Sequence, residues 1–108
     1  MNATTLSALA EPNRLRIVEL LREKPRPVGE IAARLALRQP QVSKHLAVLH
    51  RAGLVGVRPV AQRRIYQLQP KPFKELDQWA GTFRRVWEQR LDALGGLLAE
   101  LQDAETPR

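Results

Sequence analysis

The spacing of apolar side chains predicts three short helices in the first third of the chain. Two of them are separated by Glu11-Pro12-Asn13, and a proline at this point suits the first turn of the second helix. The third is predicted over residues 28–35, where apolar side chains recur every three or four positions. A stiff connector, Pro25-Arg26-Pro27, precedes this helix, and a short turn, Ala36-Leu37-Arg38, follows it.

A fourth helix is predicted from Gln39 to Arg51, and it combines one apolar edge with a basic outer face. Val42, Leu46 and Leu49 recur at helical spacing, so this edge can be buried while the polar and small residues point outward. The third and fourth helices together, about residues 28–52, predict a helix-turn-helix whose second helix is cationic on its outer face.

Two β-prone runs follow, and we expect them to pair as a hairpin over about residues 54–69. They flank Pro59-Val60-Ala61-Gln62, which lacks the glycine or asparagine of a tight turn, so the pattern leaves the register open. In the second run Ile65 alternates with Arg64 and Tyr66, and the strand face of Ile65 is expected to pack inward. A hairpin beside a helix-turn-helix is the wing of a winged helix.

From about residue 72 to residue 102 the pattern is helical again and carries one apolar stripe. At about 1.5 Å per residue this helix would run roughly 45 Å, too long for a small domain to cover alone. A second copy of the chain is the favoured cover, which makes the protein a homodimer. The expected interface consists of apolar side chains from the first and last helices, namely Leu6, Leu9, Phe73, Leu76, Trp79, Phe83, Val86, Trp87, Leu91, Leu94 and Leu98.

These elements predict a mainly α fold with a small β-hairpin (α+β), a winged helix-turn-helix with terminal dimerisation helices. We expect one domain over residues 1–102 and a disordered tail over residues 103–108. Gly95-Gly96 should cost about 1 kcal/mol each relative to alanine inside a helix, so they mark either close helix approach or a break.

The composition favours a polyanionic partner. The 108-residue chain has a formal charge of +7, with arginine more frequent than lysine. Double-stranded DNA is favoured over an acidic membrane surface because the basic residues are spread across several elements. Without a spanning or secretory segment the expected location is cytoplasmic. The absence of cysteine excludes disulfides and thiolate metal sites.

Base contacts are expected from Gln41, Ser43 and Lys44, since glutamine can pair bidentately with adenine and lysine with guanine. The alternative for these three residues is an ordinary solvated helix face. Arg63 and Arg64 could likewise serve only to keep an exposed hairpin edge soluble. His45 either contacts a phosphate or is partly packed, whereas His50 is expected to be structural. The complete predicted set of DNA-contacting residues is Arg38, Gln39, Gln41, Ser43, Lys44, His45, Arg51, Arg63 and Arg64.

No arrangement of side chains in the sequence predicts catalysis. Ser43 and His45 are two residues apart on a helix and therefore point about 200° apart, so they cannot act as nucleophile and base. The carboxylates are scattered singly, and the two histidines do not make a metal ligand set. We therefore expect neither an enzyme nor a cofactor.

At this point the residues resemble the ArsR family of bacterial winged-helix transcriptional repressors. Leu9-Ala10-Glu11-Pro12-Asn13-Arg14 is similar to the opening segment of that family, and Val28-Gly29-Glu30-Ile31-Ala32 resembles its supporting helix. Residues 39–55 resemble the recognition helix with its glycine-leucine-valine exit, and Arg63-Arg64-Ile65-Tyr66 resembles the wing. The resemblance implies a homodimer that binds an inverted-repeat operator and represses transcription.

This chain departs from the family pattern at three positions. Many relatives sense metals through a cysteine pair at the positions of Pro27 and Gly29, so the chain resembles a branch that lacks the metal-binding cysteines and whose inducer the sequence does not indicate. Arg38 stands where relatives usually carry a serine that caps the recognition helix. Gln39 or a backbone interaction must then substitute, at a cost of about 1 kcal/mol.

The remaining alternative is a winged-helix module that binds another protein without specific DNA binding. The basic polar face of residues 41–51 argues against it. Sequence-selective binding of the gene's own upstream duplex separates the two hypotheses.

Overall fold

The structure is a computed structural model that describes residues 1–105, and the side chains of residues 1–103. It consists of five helices and three strands within the described range: α1 (Ala3–Ala10), α2 (Pro12–Leu21), β1 (Arg26–Pro27), α3 (Val28–Leu35), α4 (Gln39–Arg51), β2 (Val55–Val60), β3 (Arg63–Leu68) and α5 (Pro70–Glu105). Its contacts divide the chain into two units at Glu75, within α5, whereas we expected residues 1–102 to form one domain.

The predicted helix-turn-helix is confirmed as α3 and α4. Ala36 ends α3 in the left-handed conformation, with φ of 56°. Its backbone N–H donates to the carbonyls of Ala32 and Ala33. Gly53, with φ of 79°, follows α4 and donates its N–H to the carbonyl of His50 at 3.0 Å. Both turns use positive φ, which lets the chain reverse within a few residues.

The core of the first unit fixes the orientation of α4. The apolar edge of α4, Val42, Leu46 and Leu49, has no exposed surface at all. It packs within one cluster of buried residues contributed by every helix from α1 to α4 and by the start of β2; the others are Ala8, Ile17, Val18, Leu21, Ile31, Ala32, Leu54 and Val55. At roughly 1.5–3 kcal/mol for each fully buried large side chain, a rotation of α4 that exposed this edge would be prohibitive.

The wing is a β2–β3 hairpin in a sheet of order β1-β3-β2. Val60 pairs with Arg63, so the turn is only Ala61-Gln62. Ala61 adopts a positive φ of 56°, as a two-residue hairpin turn requires. Pro59 therefore belongs to β2 rather than to the turn, and it is tolerated because β2 is an edge strand of this sheet.

The prediction that Ile65 packs inward is wrong. Tyr66 and Leu68 pack against the core, whereas Ile65 is half-buried and points to the other side of the strand. A strand alternates its faces with a period of two, so the inward position of Tyr66 excludes Ile65 from the same face. The sequence also gave no sign of β1, in which Arg26 pairs with Tyr66 and Pro27 with Ile65.

Arg26 is a buried cation at the start of this sheet. Its side chain is 2% exposed, and its two terminal nitrogens donate to carboxylate oxygens of Glu23 and Glu30, each at 2.5 Å. Its Nε has no hydrogen-bond partner among the described residues. The hydrogen bond from Arg26 is the main reason that the pKa of Glu30 is lowered, and Arg34 assists it. This cluster ties the end of α2 to the first turn of α3.

Helix α5 is continuous through Gly95-Gly96, so the glycines do not break it. A side chain added at either glycine would meet no atom within 4 Å in the described structure. The helix includes residues 103–105, which were expected to belong to a disordered tail, and residues 106–108 lie outside the described residues. Within the described range, the structure contains no helix apolar and long enough to cross a lipid bilayer.

Candidate nucleic-acid interface

The outer face of α4 is polar, basic and free of internal partners. Burial of the opposite edge leaves Gln41, Ser43, Lys44, Ala47 and Arg51 exposed to solvent. Lys44 and Arg51 are seven residues apart, so they lie on one line of the helix about 10.5 Å apart along its axis. Ala47 stands between them and is small enough to allow close approach of a partner.

Two groups of basic side chains between residues 14 and 64 differ in their hydrogen bonding, while Lys24 and the basic residues of α5 belong to neither group. The five arginines before residue 35 each bond a carboxylate, a carbonyl or a side-chain amide; they are Arg14, Arg16, Arg22, Arg26 and Arg34. The basic side chains of α4 and the wing have no such bond within residues 1–103; they are Arg38, Lys44, Arg51, Arg58, Arg63 and Arg64. The second group is therefore available for an external anion.

The first turn of α4 lacks a side-chain cap. Arg38 is the N-cap residue, with φ of −75° and ψ of 140°, and its side chain makes no cap hydrogen bond in the described structure. Gln39 is the first helical residue and so does not substitute for the missing serine. The exposed amide groups of this turn and the positive end of the helix dipole favour a phosphate here.

The structure brings the predicted wing residues close to the start of α4. Arg63 and Arg64 are exposed at the beginning of β3. With Gln62 and Gln39 they line a concave surface that also includes the first turn of α3. Two separate parts of the predicted DNA-contacting set therefore share one surface.

His45 is partly packed, which is one of its two expected environments, whereas His50 differs from its expectation. The side chain of His45 is 17% exposed, and its Nδ1 lies 3.7 Å from Oε2 of Glu11, at the N-cap of α2. This gives it a partner within the chain. His50, which was expected to be structural, is exposed and faces the wing across a cleft. His50 is seven residues from Ser43, which places both side chains on the same side of α4. This spacing was the one sequence signal for the exposure of His50.

A second candidate surface is the apolar side of α5 beyond Glu75. Its large side chains are 38–61% exposed; they are Trp79, Phe83, Val86, Trp87, Leu91, Leu94, Leu97, Leu98 and Leu101. The rings of Trp79 and Phe83 meet edge to face with centroids 5.1 Å apart, and Arg90 lies 5.7 Å from the ring centre of Trp87. Such a long exposed apolar surface indicates a partner.

The remaining residues of the predicted dimer interface differ in their exposure. Leu6 of α1 is 37% exposed. Leu9 and Phe73 pack against the core of their own unit, so most of their surface is already used. Leu76 is half-buried.

Comparison with known proteins identifies the family. Residues 11–57 match the arsR family of bacterial regulatory proteins. The chain is 51% identical over 91 residues to the HTH-type transcriptional regulator Rv2034 of Mycobacterium tuberculosis, an alignment that covers 84% of this chain and 82% of that protein. The chain belongs to the arsR family. It is accordingly a DNA-binding transcriptional regulator.

Solved structures agree with this arsR assignment. HlyU from Vibrio cholerae is 36% identical, with a TM-score of 0.63, over 74% of this chain and 87% of that one. The homodimeric winged helix-turn-helix DNA-binding domain of Mb0332 from Mycobacterium bovis, a possible ArsR-family regulator, is 27% identical with a TM-score of 0.65, over 84% of this chain and 82% of that one. The predicted fold class is confirmed.

The positions of the metal-binding cysteines of many arsR-family relatives carry no ligand in this chain. Pro27 and Gly29 occupy them, and Pro27 lies in β1 while Gly29 lies in the first turn of α3. Nowhere among the described residues do three side chains of His, Cys, Asp or Glu come together in a group that could hold a metal ion. The neighbouring Arg26 is buried, and its guanidinium is bonded by the carboxylates of Glu23 and Glu30.

Proposed function

We propose that the protein is a homodimeric repressor that binds an inverted-repeat operator through α4 and the wing. The observation that carries this proposal is the contrast between the two groups of cations. Every arginine before residue 35 is held by a partner within the chain, whereas the basic side chains of α4 and the wing are exposed and unpaired within residues 1–103. Unpaired cations on a small, polar helix suit the phosphates and base edges of a major groove.

The proposed contacts divide by chemistry. Gln41, Ser43 and Lys44 read bases, because their side chains are exposed beside the small Ala47 and can hydrogen-bond base edges. Arg38, Gln39 and Arg51 bind phosphates at the two ends of α4, and Arg63 and Arg64 contact the phosphates or minor groove beside it. We leave His45 out of the direct contacts because Glu11 already faces its ring.

The proposed dimer forms through the apolar side of α5. Residues from Trp79 to Leu101 expose large side chains along most of the helix, and a second copy of the same surface would bury them. The homodimeric state of the Mycobacterium bovis domain supports this assembly. Two copies of α4 would then enter successive major grooves about 34–36 Å apart.

The proposal is tested by fluorescence anisotropy with the full chain and two duplexes of equal length and composition. One duplex is the gene's own upstream region, and the other is a shuffled version of it. We expect nanomolar binding to the first and binding at least about 10³-fold weaker to the second. Equal, weak binding to both duplexes would favour a winged-helix module that recognises another protein.

The assembly is tested separately by sedimentation of the protein alone and with the upstream duplex. We expect a dimer at micromolar protein concentration and two chains for each duplex. A monomer at that concentration would contradict the interface on α5.

A further inference from the structure

A cleft lies between α4 and the wing, on the flank of α4 next to its outer face. One wall consists of Ser43, Ala47 and His50, which are spaced four and three residues apart and therefore form a line along the helix. The other wall consists of Arg64 and Tyr66 of β3. The three helix residues are exposed, so the cleft opens onto the same surface that presents the proposed base contacts.

The lining of this cleft combines an apolar base with a polar rim. The apolar contribution comes from Val28, Leu46 and Val57, of which Leu46 is fully buried. The rim carries a hydroxyl, an imidazole, a guanidinium and a phenol, all of which can donate hydrogen bonds to a phosphate oxygen. No carboxylate among the described side chains lines the cleft. A sugar-phosphate unit, whose C–H groups can pack on apolar side chains while its phosphate accepts hydrogen bonds, matches this combination better than a free anion does.

The position of the cleft indicates which strand of a duplex would occupy it. If α4 lies in the major groove and the wing lies beside the minor groove, the sugar-phosphate strand between the two grooves must pass between α4 and the wing. We propose that this cleft seats that strand and that His50 binds one of its phosphates. The proposal rests on the DNA binding proposed above and adds His50 and Tyr66 to its contacts.

The surroundings of His50 leave its imidazole open to a phosphate. The imidazole has no hydrogen-bond or ion-pair partner within residues 1–103. The charged or titratable groups that face it are Arg64 and Tyr66 from β3, while α3 and β2 contribute only apolar side chains to the cleft. The carboxylate of Glu30 lines the neighbouring surface beside Arg64 and is already bonded by Arg26 and Arg34.

Histidine side chains change between neutral and cationic forms over the range of pH 8 to 5.5, so a histidine that binds phosphate strengthens its contact as pH falls. Each phosphate contact adds about 0.9 to the slope of log affinity against log salt. Protonation of His50 in both subunits should therefore steepen that slope by about 1.8. A histidine with a purely structural role would not change it.

The test measures binding of the full-length protein to a fluorescent duplex that contains its selected operator, at pH 5.5 and 8.5 and at several salt concentrations. Wild type should bind about tenfold tighter at pH 5.5, with the steeper salt slope. The His50→Gln variant should lose this pH dependence, because glutamine does not titrate. The His50→Arg variant should show tight binding and the steep slope at both pH values.

The matched control is His45→Gln, which removes the other histidine of the same helix, the one that faces Glu11. This variant should keep the pH step of the wild type. Circular dichroism at each pH shows that every variant is folded.

Two results would overturn the inference: a pH step that survives in His50→Gln, or one that disappears in His45→Gln instead. A wild-type protein that binds its operator selectively but without a pH step would refute this inference alone. A wild-type protein that selects no duplex would refute the proposed function itself.

Discussion

Replacing Arg38 by serine should stabilise the protein and weaken its DNA binding at the same time. Arg38 occupies the N-cap of α4 in an extended conformation, with φ of −75° and ψ of 140°, and its side chain makes no cap hydrogen bond in the described structure. Serine can adopt the same backbone conformation and accept a hydrogen bond from the first turn of the helix. The removed guanidinium is one of the exposed, unpaired cations that we assign to phosphate.

The expected gain in stability is about 1 kcal/mol from the cap. Removing a cation from the positive end of the helix should raise the free energy of unfolding by a further amount of about 0.3–1 kcal/mol. Since the unit that contains α4 ends at Glu75, each 1 kcal/mol should raise its midpoint temperature by about 4–8 °C. In DNA binding, the loss of one phosphate contact per subunit should lower the salt slope of a dimer by about 1.8.

The assay is thermal unfolding followed by circular dichroism at one fixed protein concentration, because the stability of a dimer depends on concentration. Arg38→Ala is the matched control, since alanine removes the same charge but cannot cap the helix. The Arg38→Ser variant should unfold at a temperature about 4–8 °C above that of Arg38→Ala, and both variants should show the same reduced salt slope. Equal unfolding temperatures for the two variants would show that serine does not cap α4. A wild-type salt slope in both would show that Arg38 does not bind a phosphate.

Three further predictions concern base reading, the buried ion cluster and the dimer. Lys44→Ala should reduce the preference for operator over shuffled DNA in anisotropy titrations, whereas Arg63→Ala should weaken both duplexes evenly; unchanged discrimination in Lys44→Ala would refute its role as a base reader. Glu30→Gln should lower the unfolding temperature at pH 7, because it takes one of two carboxylates from the buried Arg26 guanidinium. The pKa of Glu30 is lowered in the folded protein, so its stabilisation is complete above its ordinary value of 4.5 and is lost as pH falls below it. The gap in unfolding temperature between wild type and Glu30→Gln should therefore narrow as pH falls below 4.5, and a gap that stays constant would contradict the ion cluster. Leu91→Lys should shift the protein from dimer to monomer in sedimentation, since Leu91 is 61% exposed on the apolar side of α5; a dimer of unchanged affinity would contradict that interface.

The helices and the hairpin could be predicted because their signals are local. The apolar residues of α4 are spaced three and four apart, which predicts one buried edge, and the structure buries Val42, Leu46 and Leu49 completely. The family resemblance added the inverted-repeat operator and the repression of transcription.

The difference between the environments of His45 and His50 could not be predicted from the helix alone, for a geometric reason. At about 100° per residue, His45 and His50 lie about 70° to either side of the buried edge of α4. The sequence of the helix alone is nearly symmetric about that edge. Only the tertiary arrangement puts Glu11 beside His45 and leaves His50 open toward the wing.

Sequence patterns also could not predict the β1 strand and the burial of Arg26. Pro25-Arg26-Pro27 reads as a connector, because two prolines cannot donate to a ladder and a lone arginine is usually exposed. Its burial depends on Glu23, in the turn that follows α2, and on Glu30, in the first turn of α3. The inward face of β3 was equally undetermined, since Ile65 and Tyr66 can both pack against a core and only the register decides between them.

The central claim, that two copies of α4 read an inverted repeat, is tested most directly by sequencing duplexes that the purified protein selects from a random library. We expect enrichment of one inverted repeat whose half-sites are centred about 10 base pairs apart, one helical turn. Selected duplexes that share no sequence, or that share a single half-site without symmetry, would contradict it.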